Sequence, residues 1–340
     1  MVVLLKQLLG DVPLEIKDTV DRTRKRLNTA IRDGLRNHTG LLLNRPETSG
    51  TESKTTRKSV AVPVSLEPGL TFSLRDFSID ADPIIIQLSP FRSALERARN
   101  GLSSSKELMK WLQLKDRFDL IGDVDLNAPE NARVLIGRLL SLLDKQDPVT
   151  KILAVNEDIL GVYRYRTGRN EHGQELFEPT WDPFDGKIEL YWAVIGLIAR
   201  MLGVTIETLT GVVLIHELAH GYTHMGADID NDRWASWWFC DSDHELKEGL
   251  AQYYTDILSR RLDNQLPGLH DAYQELLKRQ PPAYHTHLPW LEEFRQEEVR
   301  LALIAVRRRG KATLADFNSE LHRARKSLRN SNTKNRNNSD

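Results

Sequence analysis

Two histidines four residues apart, with a glutamate directly after the first, form the segment best equipped for chemistry: His216-Glu217-Leu218-Ala219-His220. On an α-helix four residues turn a side chain through about 400° and raise it about 6 Å, so both imidazoles stand on one face, one turn apart. They can share one divalent ion at roughly 2.0–2.1 Å. Glu217 is rotated by about 100° from His216, which sets its carboxylate beside such an ion rather than on it. A general base that takes a proton from a metal-activated water must stand there. Val212, Val213, Leu214, Ile215, Leu218 and Ala219 make the helix apolar on most sides, as a rigid ligand platform requires, with Thr208 or Thr210 available as N-cap.

A catalytic zinc takes three protein ligands and keeps one position open, so a third ligand is expected downstream. Glu248 is the best candidate. It lies in Ser242-Asp243-His244-Glu245-Leu246-Lys247-Glu248-Gly249, where Ser242 and Glu245 have capping-box spacing and place Glu248 one turn inside a helix. Gly249 weakens that helix and suggests close approach of another backbone. His224 continues the histidine face, either as a helix-end residue or as an outer partner or alternative ligand. Asp228, Asp230 and Asp232 form an acidic turn that could orient a ligating histidine. Trp234, Trp237, Trp238 and Phe239 are core packing of a crossing loop or the wall of a substrate pocket. Peptide hydrolysis develops an oxyanion that needs a donor besides the metal. Tyr284 and His285 are the candidates for that catalytic role, with His287, Tyr253 and Tyr254 as further possibilities. Cys240, the one cysteine, is expected to be a buried free thiol, with a metal-capping thiolate as the alternative.

His216-Glu217-Leu218-Ala219-His220 followed by Glu248-Gly249-Leu250-Ala251 resembles the gluzincin branch of the zincin metallopeptidases. The resemblance covers about residues 187 to 256. It implies a Zn²⁺-dependent peptidase with His216, His220 and Glu248 as metal ligands and Glu217 as base. It also implies that the strand before the motif, Lys187 to Val194, is a sheet edge beside which an extended peptide lies. The interval from His220 to Glu248 is longer than in the thermolysin-like and aminopeptidase-like branches. Gly-x-Met-Glu-Asn is absent, and Gly226 stands where a metzincin would place its third histidine. The expected fold is α+β and zincin-like, with a mixed β-sheet packed on the motif helix and a mostly helical C-terminal lobe.

Positioning that site requires a helix over residues 14–37, from the spacing of Leu14, Val20, Leu27, Ile31 and Leu35, and then a polar linker over 44–59. Strands are expected at 60–64, 70–74, 84–86, 151–155, 160–165 and 187–194, and helices at 104–120 and 129–143. Turns are expected at 168–171 and 182–183. After Val194 the pattern is helical, with breaks at Gly203, at 226–232, at Pro267 and at Pro281-Pro282. The Asn/Ser-rich tail from Asn330 reads as disordered. The organisation expected is an N-terminal helix and linker (1–59), the metallopeptidase domain (60–310), and a basic C-terminal helix and tail (311–340).

At 340 residues and net charge −1 the chain is an ordinary globular composition with no global bias toward a polyanionic partner. One cysteine excludes an internal disulfide framework, and no export signal or apolar run of bilayer length is evident, which points to a cytoplasmic protein. Residues 306–340 hold ten Lys/Arg against three acidic groups, a local excess of seven positive charges. The favoured function is hydrolysis of a peptide or protein substrate. The alternatives are a silent zincin fold that grips peptides, and a peptidase recruited to nucleic acid through its basic C-terminus.

Overall fold

The computed structural model describes residues 2–10, 12–43, 62–69, 78–80, 83–92, 95–96, 99, 129–154, 158–165 and 186–337. The expected linker at 44–59, the strand at 70–74, the helix at 104–120 and the turns at 168–171 and 182–183 lie outside the described residues. The chain begins with strand β1 (Val2–Leu4) and helices α1 (Leu5–Gly10) and α2 (Glu15–Thr39). Strands β2 (Val64–Glu67) and β3 (Ser78–Asp80) follow, then helices α3 (Pro83–Leu88), α4 (Pro129–Lys145) and α5 (Pro148–Leu153). Strands β4 (Gly161–Tyr165) and β5 (Gly186–Tyr191) lead into α6 (Trp192–Leu202) and the motif helix α7 (Ile206–Met225). The remainder is α8 (Ser236–Asp241), α9 (His244–Leu262), α10 (Leu269–Leu277), α11 (Leu288–Glu293), α12 (Gln296–Arg309) and α13 (Leu314–Asn337).

The architecture is α+β and mostly helical, with a three-stranded mixed sheet in the order β2-β5-β4. β2 runs parallel to β5 and β4 antiparallel to it. Lys187–Tyr191 is therefore the central strand, not the edge that was expected. Among the described residues the free edge beside the motif helix belongs to β4. Its register pairs Val162 with Glu189 and Arg164 with Lys187, and Tyr191 N–H donates to the Leu160 carbonyl. Even-numbered residues of β4 thus spend their backbone groups on β5, and those of Gly161, Tyr163 and Tyr165 face outward.

Two apolar runs expected as strands are helical. Ile84-Ile85-Ile86 lies in α3, and of the strand expected at 151–155 the residues Lys151–Leu153 lie in α5. Short apolar runs have no period long enough to separate the two states, and α5 is set by Asp147, whose side chain accepts from Val149 N–H ahead of Pro148. The strand after Pro63 begins at Val64. Asn330, expected to open a disordered tail, lies inside α13.

α7 is buried from Thr208 to Met225, as a helix apolar on most sides is expected to be. Its N-cap is Thr205, whose hydroxyl accepts from Thr208 N–H at 3.1 Å, rather than Thr208 or Thr210. α2 packs along it, and Val20, Leu27, Ile31 and Leu35 join the same core as Leu209, Val212 and Leu218. The N-terminal helix thus shares one core with the motif helix. Full burial of each such side chain contributes about 1.5–3 kcal/mol. Just beyond α7, Leu42 and Ala227 exchange two backbone hydrogen bonds, at 2.8 and 2.6 Å, tying the end of α2 to the end of the motif helix.

Candidate metal centre

α7 and α9 cross so that His216, His220 and Glu248 converge, all three buried. The His216 and His220 Nε2 atoms are 3.1 Å apart. Glu248 Oε2 lies 3.2 Å from His216 Nε2 and Glu248 Oε1 3.4 Å from His220 Nε2. Ligands at 2.0–2.1 Å in tetrahedral arrangement stand about 3.3 Å from one another, so the trio has the edge lengths of a tetrahedral face. Glu248 Oε2 is buried with nothing but the His216 ring nitrogen, 3.2 Å away, to partner it, a costly state for a carboxylate that a cation relieves. The residues present therefore fit a zinc ion.

Burial would raise the Glu248 pKa, but the His220 charge and hydrogen bonds from His216 and His220 outweigh it and hold the carboxyl well below its usual range. Burial lowers His216 despite the opposing hydrogen bond to Glu248. An ionised carboxylate and a neutral imidazole are the forms that bind metal.

Glu217 is buried but stands outside the trio. Burial first, then the charges of Asp158 and Glu248, push its carboxyl well above the ordinary value, against a hydrogen bond from the Tyr163 backbone N–H. That amide is one of the outward-facing groups of β4. A Cβ added at Gly161 would meet Glu217 Cγ at 3.3 Å and Val213 Cγ1 at 2.9 Å, so a glycine there lets the edge strand lie directly on the base. Sequence reasoning missed Gly161, Tyr163 and Asp158; a glycine inside a strand pattern was the available signal.

α9 starts differently from expectation. Its N-cap is Asp243, without a side-chain cap. The Ser242 hydroxyl instead donates to Trp238 O and accepts from Ala312 N–H, and Asp243 Oδ2 accepts from Leu314 N–H. Both anchor the C-terminal helices, and Glu245 is exposed. At Gly249 the close neighbour is a side chain, not a backbone: an added Cβ would lie 2.7 Å from Trp290 Cη2.

Tyr284 is buried and stacks on His216, ring centroids 5.6 Å apart. His285 is half-buried, its Nε2 3.2 Å from Gln280 O. His287 is buried against Tyr273 Oη and Tyr284 O. Tyr253 and Tyr254 are core residues.

His224 is not in the trio. Its Nδ1 lies 2.9 Å from Tyr163 Oη, its Nε2 3.1 Å from Ser236 Oγ, and its ring stacks on Phe239. It thus pins β4 from behind. Among the described residues the Asp228–Asp232 turn meets no histidine; Asp228, Asp230 and Asp232 all pair with Arg308. Trp234 is core and donates to Gly310 O, whereas Trp237 and Trp238 are 39% and 40% exposed. Cys240, expected to be buried, is exposed, because the short α8 turns Phe239 inward and Cys240 outward.

Burial lowers the pKa of His224 to about 3, aided by the nearby positive charges of Arg307, His220 and Lys247. Burial also lowers His287 to about 4. Unfolded, both would titrate near about 6.5, so below that pH the unfolded chain binds protons the folded chain refuses. Stability is therefore full above about pH 6.5 and falls toward pH 3, with each histidine adding at most about 1.4 kcal/mol per pH unit. Urea midpoints of the metal-free chain between pH 7.5 and 4 should show this fall, and His224→Gln should flatten it. Parallel slopes for the two chains would refute the assignment to His224.

The described residues thus form an α+β protein with a buried His-His-Glu trio, a glutamate beside it and a free strand edge at its rim. Compared with protein-family models, curated proteins and solved structures, the chain gives no match. Among the described residues no helix is long and apolar enough to cross a membrane.

Proposed function

We propose that this protein is a zinc-dependent metallopeptidase of zincin-like fold. The observation that carries the reading is the 3.1–3.4 Å triangle of His216, His220 and Glu248 with Glu217 adjacent but not ligating. His216, His220 and Glu248 would hold the ion. When bound, zinc supplies a Lewis acid for the scissile carbonyl and acidifies water toward neutrality. Glu217 takes the water proton on its carboxylate and passes it to the departing amine. Its raised pKa suits this work, since a proton acceptor is most effective when its pKa approaches the working pH. The outward backbone groups of Gly161 and Tyr165, with the Tyr163 carbonyl, offer an extended peptide a strand to pair with, while the Tyr163 N–H orients Glu217.

Recruitment to nucleic acid is less well supported, because much of the basic C-terminal segment is engaged within the fold. Arg307 donates to the Gly226 and Asp232 carbonyls, and Arg308 pairs with Asp228. Arg309 and Arg323 share Glu320, and Arg325 lies over Phe294 beside Glu298.

Purified chain should contain one zinc per molecule and cut a mixed peptide pool, with cleavage abolished by a chelator and restored by zinc. Zinc binding without any cleavage would turn the reading to a peptide-gripping protein, and no zinc binding would end it.

A further inference from the structure

Among the described residues three imidazoles lie within 4.0 Å of the Glu248 carboxylate: those of His216, His220 and His244. The first two belong to the trio. His244 is different in kind. It is the first residue of α9, one turn before Glu248, and its side chain is 47% exposed where that of Glu248 is 10% exposed. Its Nδ1 stands 3.9 Å from Glu248 Oε1, beyond hydrogen-bond length. Oε1 is the oxygen that faces His220, so His244 flanks the trio on that side.

The other candidates for a substrate-facing donor are placed differently. Tyr284 is buried with its ring against His216, and His285 Nε2 is turned to the Gln280 carbonyl. His244 combines proximity to the trio with exposure to an incoming substrate.

We propose that His244 is a further catalytic residue of this site: resting on the peptidase reading, its imidazole donates a hydrogen bond to the scissile carbonyl oxygen as negative charge develops there. A neutral imidazole carries one N–H and suffices. A donor aimed at an oxygen that becomes charged stabilises the transition state more than the ground state. Sequence alone could not single it out, since a histidine four residues before a glutamate on a helix is indistinguishable from a solvated pair.

The test uses the full, zinc-loaded chain, its His244→Ala and His244→Gln variants, and the tetrahedral phosphoramidate N-phosphoryl-leucyl-phenylalanine as probe. His244→Ala should weaken probe binding at least about tenfold and lower kcat by about 10²–10³, with KM changed little. His244→Gln, which keeps an N–H donor, should recover a substantial part of both. Zinc affinity, read by chelator competition, should stay well within the ~10–100-fold loss typical of a group that orients a ligand. Unchanged probe affinity in His244→Ala overturns the proposal, as does a fall in zinc affinity that accounts for the loss. If the unaltered zinc-loaded chain neither binds the probe nor cleaves peptides, the peptidase reading fails as well, and that result is visible before any variant is made.

Discussion

Replacing Glu217 by glutamine is expected to leave one zinc per chain and to cut peptide turnover by about 10²–10⁴, the range a positioned general base supplies. The glutamine side chain has the same length, and its carbonyl oxygen can still accept from the Tyr163 N–H that now contacts Glu217. What it cannot do is take a proton. The ligands lie elsewhere, on His216, His220 and Glu248, so metal content separates loss of the base from loss of the site. Stability supplies an independent check. A carboxyl whose folded pKa is raised gives its full contribution below the unfolded value and loses it as pH rises, so ionised Glu217 costs folding free energy at neutral pH. Removing that ionisation should leave the metal-free variant at least as stable as the parent at pH 7, a gain in stability against a loss in rate. Turnover near the parent rate with full zinc would defeat the mechanism. A variant that loses zinc would instead show Glu217 to be a ligand.

How far the sequence alone reaches can be followed residue by residue. The motif helix is legible because its apolar residues on most sides and its four-residue histidine spacing are both local properties, and the helix carrying Glu248 falls within the helical pattern that follows Val194. Pairing is not local. The resemblance implies an edge at Lys187–Val194, yet the two neighbours of Lys187–Tyr191 come from residues 64–67 and 161–165, and nothing within the strand reports them. The same holds for caps and charges. Ser242 and Glu245 have capping-box spacing, but Ser242 is bonded to Ala312, seventy residues away. Arg308 and Arg309 read as part of a basic stripe until the fold brings Asp228, Asp316 and Glu320 to them. Ile84–Ile86 and the run at 151–155 mislead for a different reason: a few apolar residues in a row fit a strand and a buried helical turn equally well.

The largest effect on metal binding is expected from Glu248→Gln, which removes one anion and one strong ligand atom while keeping the shape of the side chain. Zinc affinity should fall by more than the ~10–100-fold that loss of an orienting partner costs, because two neutral imidazoles then face a divalent ion without a counter-charge. The other acidic residue early in the same helix gives the control. Glu245 is exposed and lies outside the trio, so Glu245→Gln should bind zinc as the parent does, and any general weakening of α9 by lost charge would appear in both variants. Acid should act in the same direction as the substitution. Protons compete for His216, His220 and Glu248, so zinc affinity falls with pH. The low pKa that burial gives His216 and the strongly depressed carboxyl of Glu248 keep those two ligands in their binding forms at pH values where free histidine is already protonated. In Glu248→Gln the remaining sites are imidazoles alone. Chelator competition across pH 5–8 on the three chains measures both effects. If Glu248→Gln holds zinc as tightly as Glu245→Gln, the triangle of nitrogens and oxygen is a packing coincidence and not a metal centre.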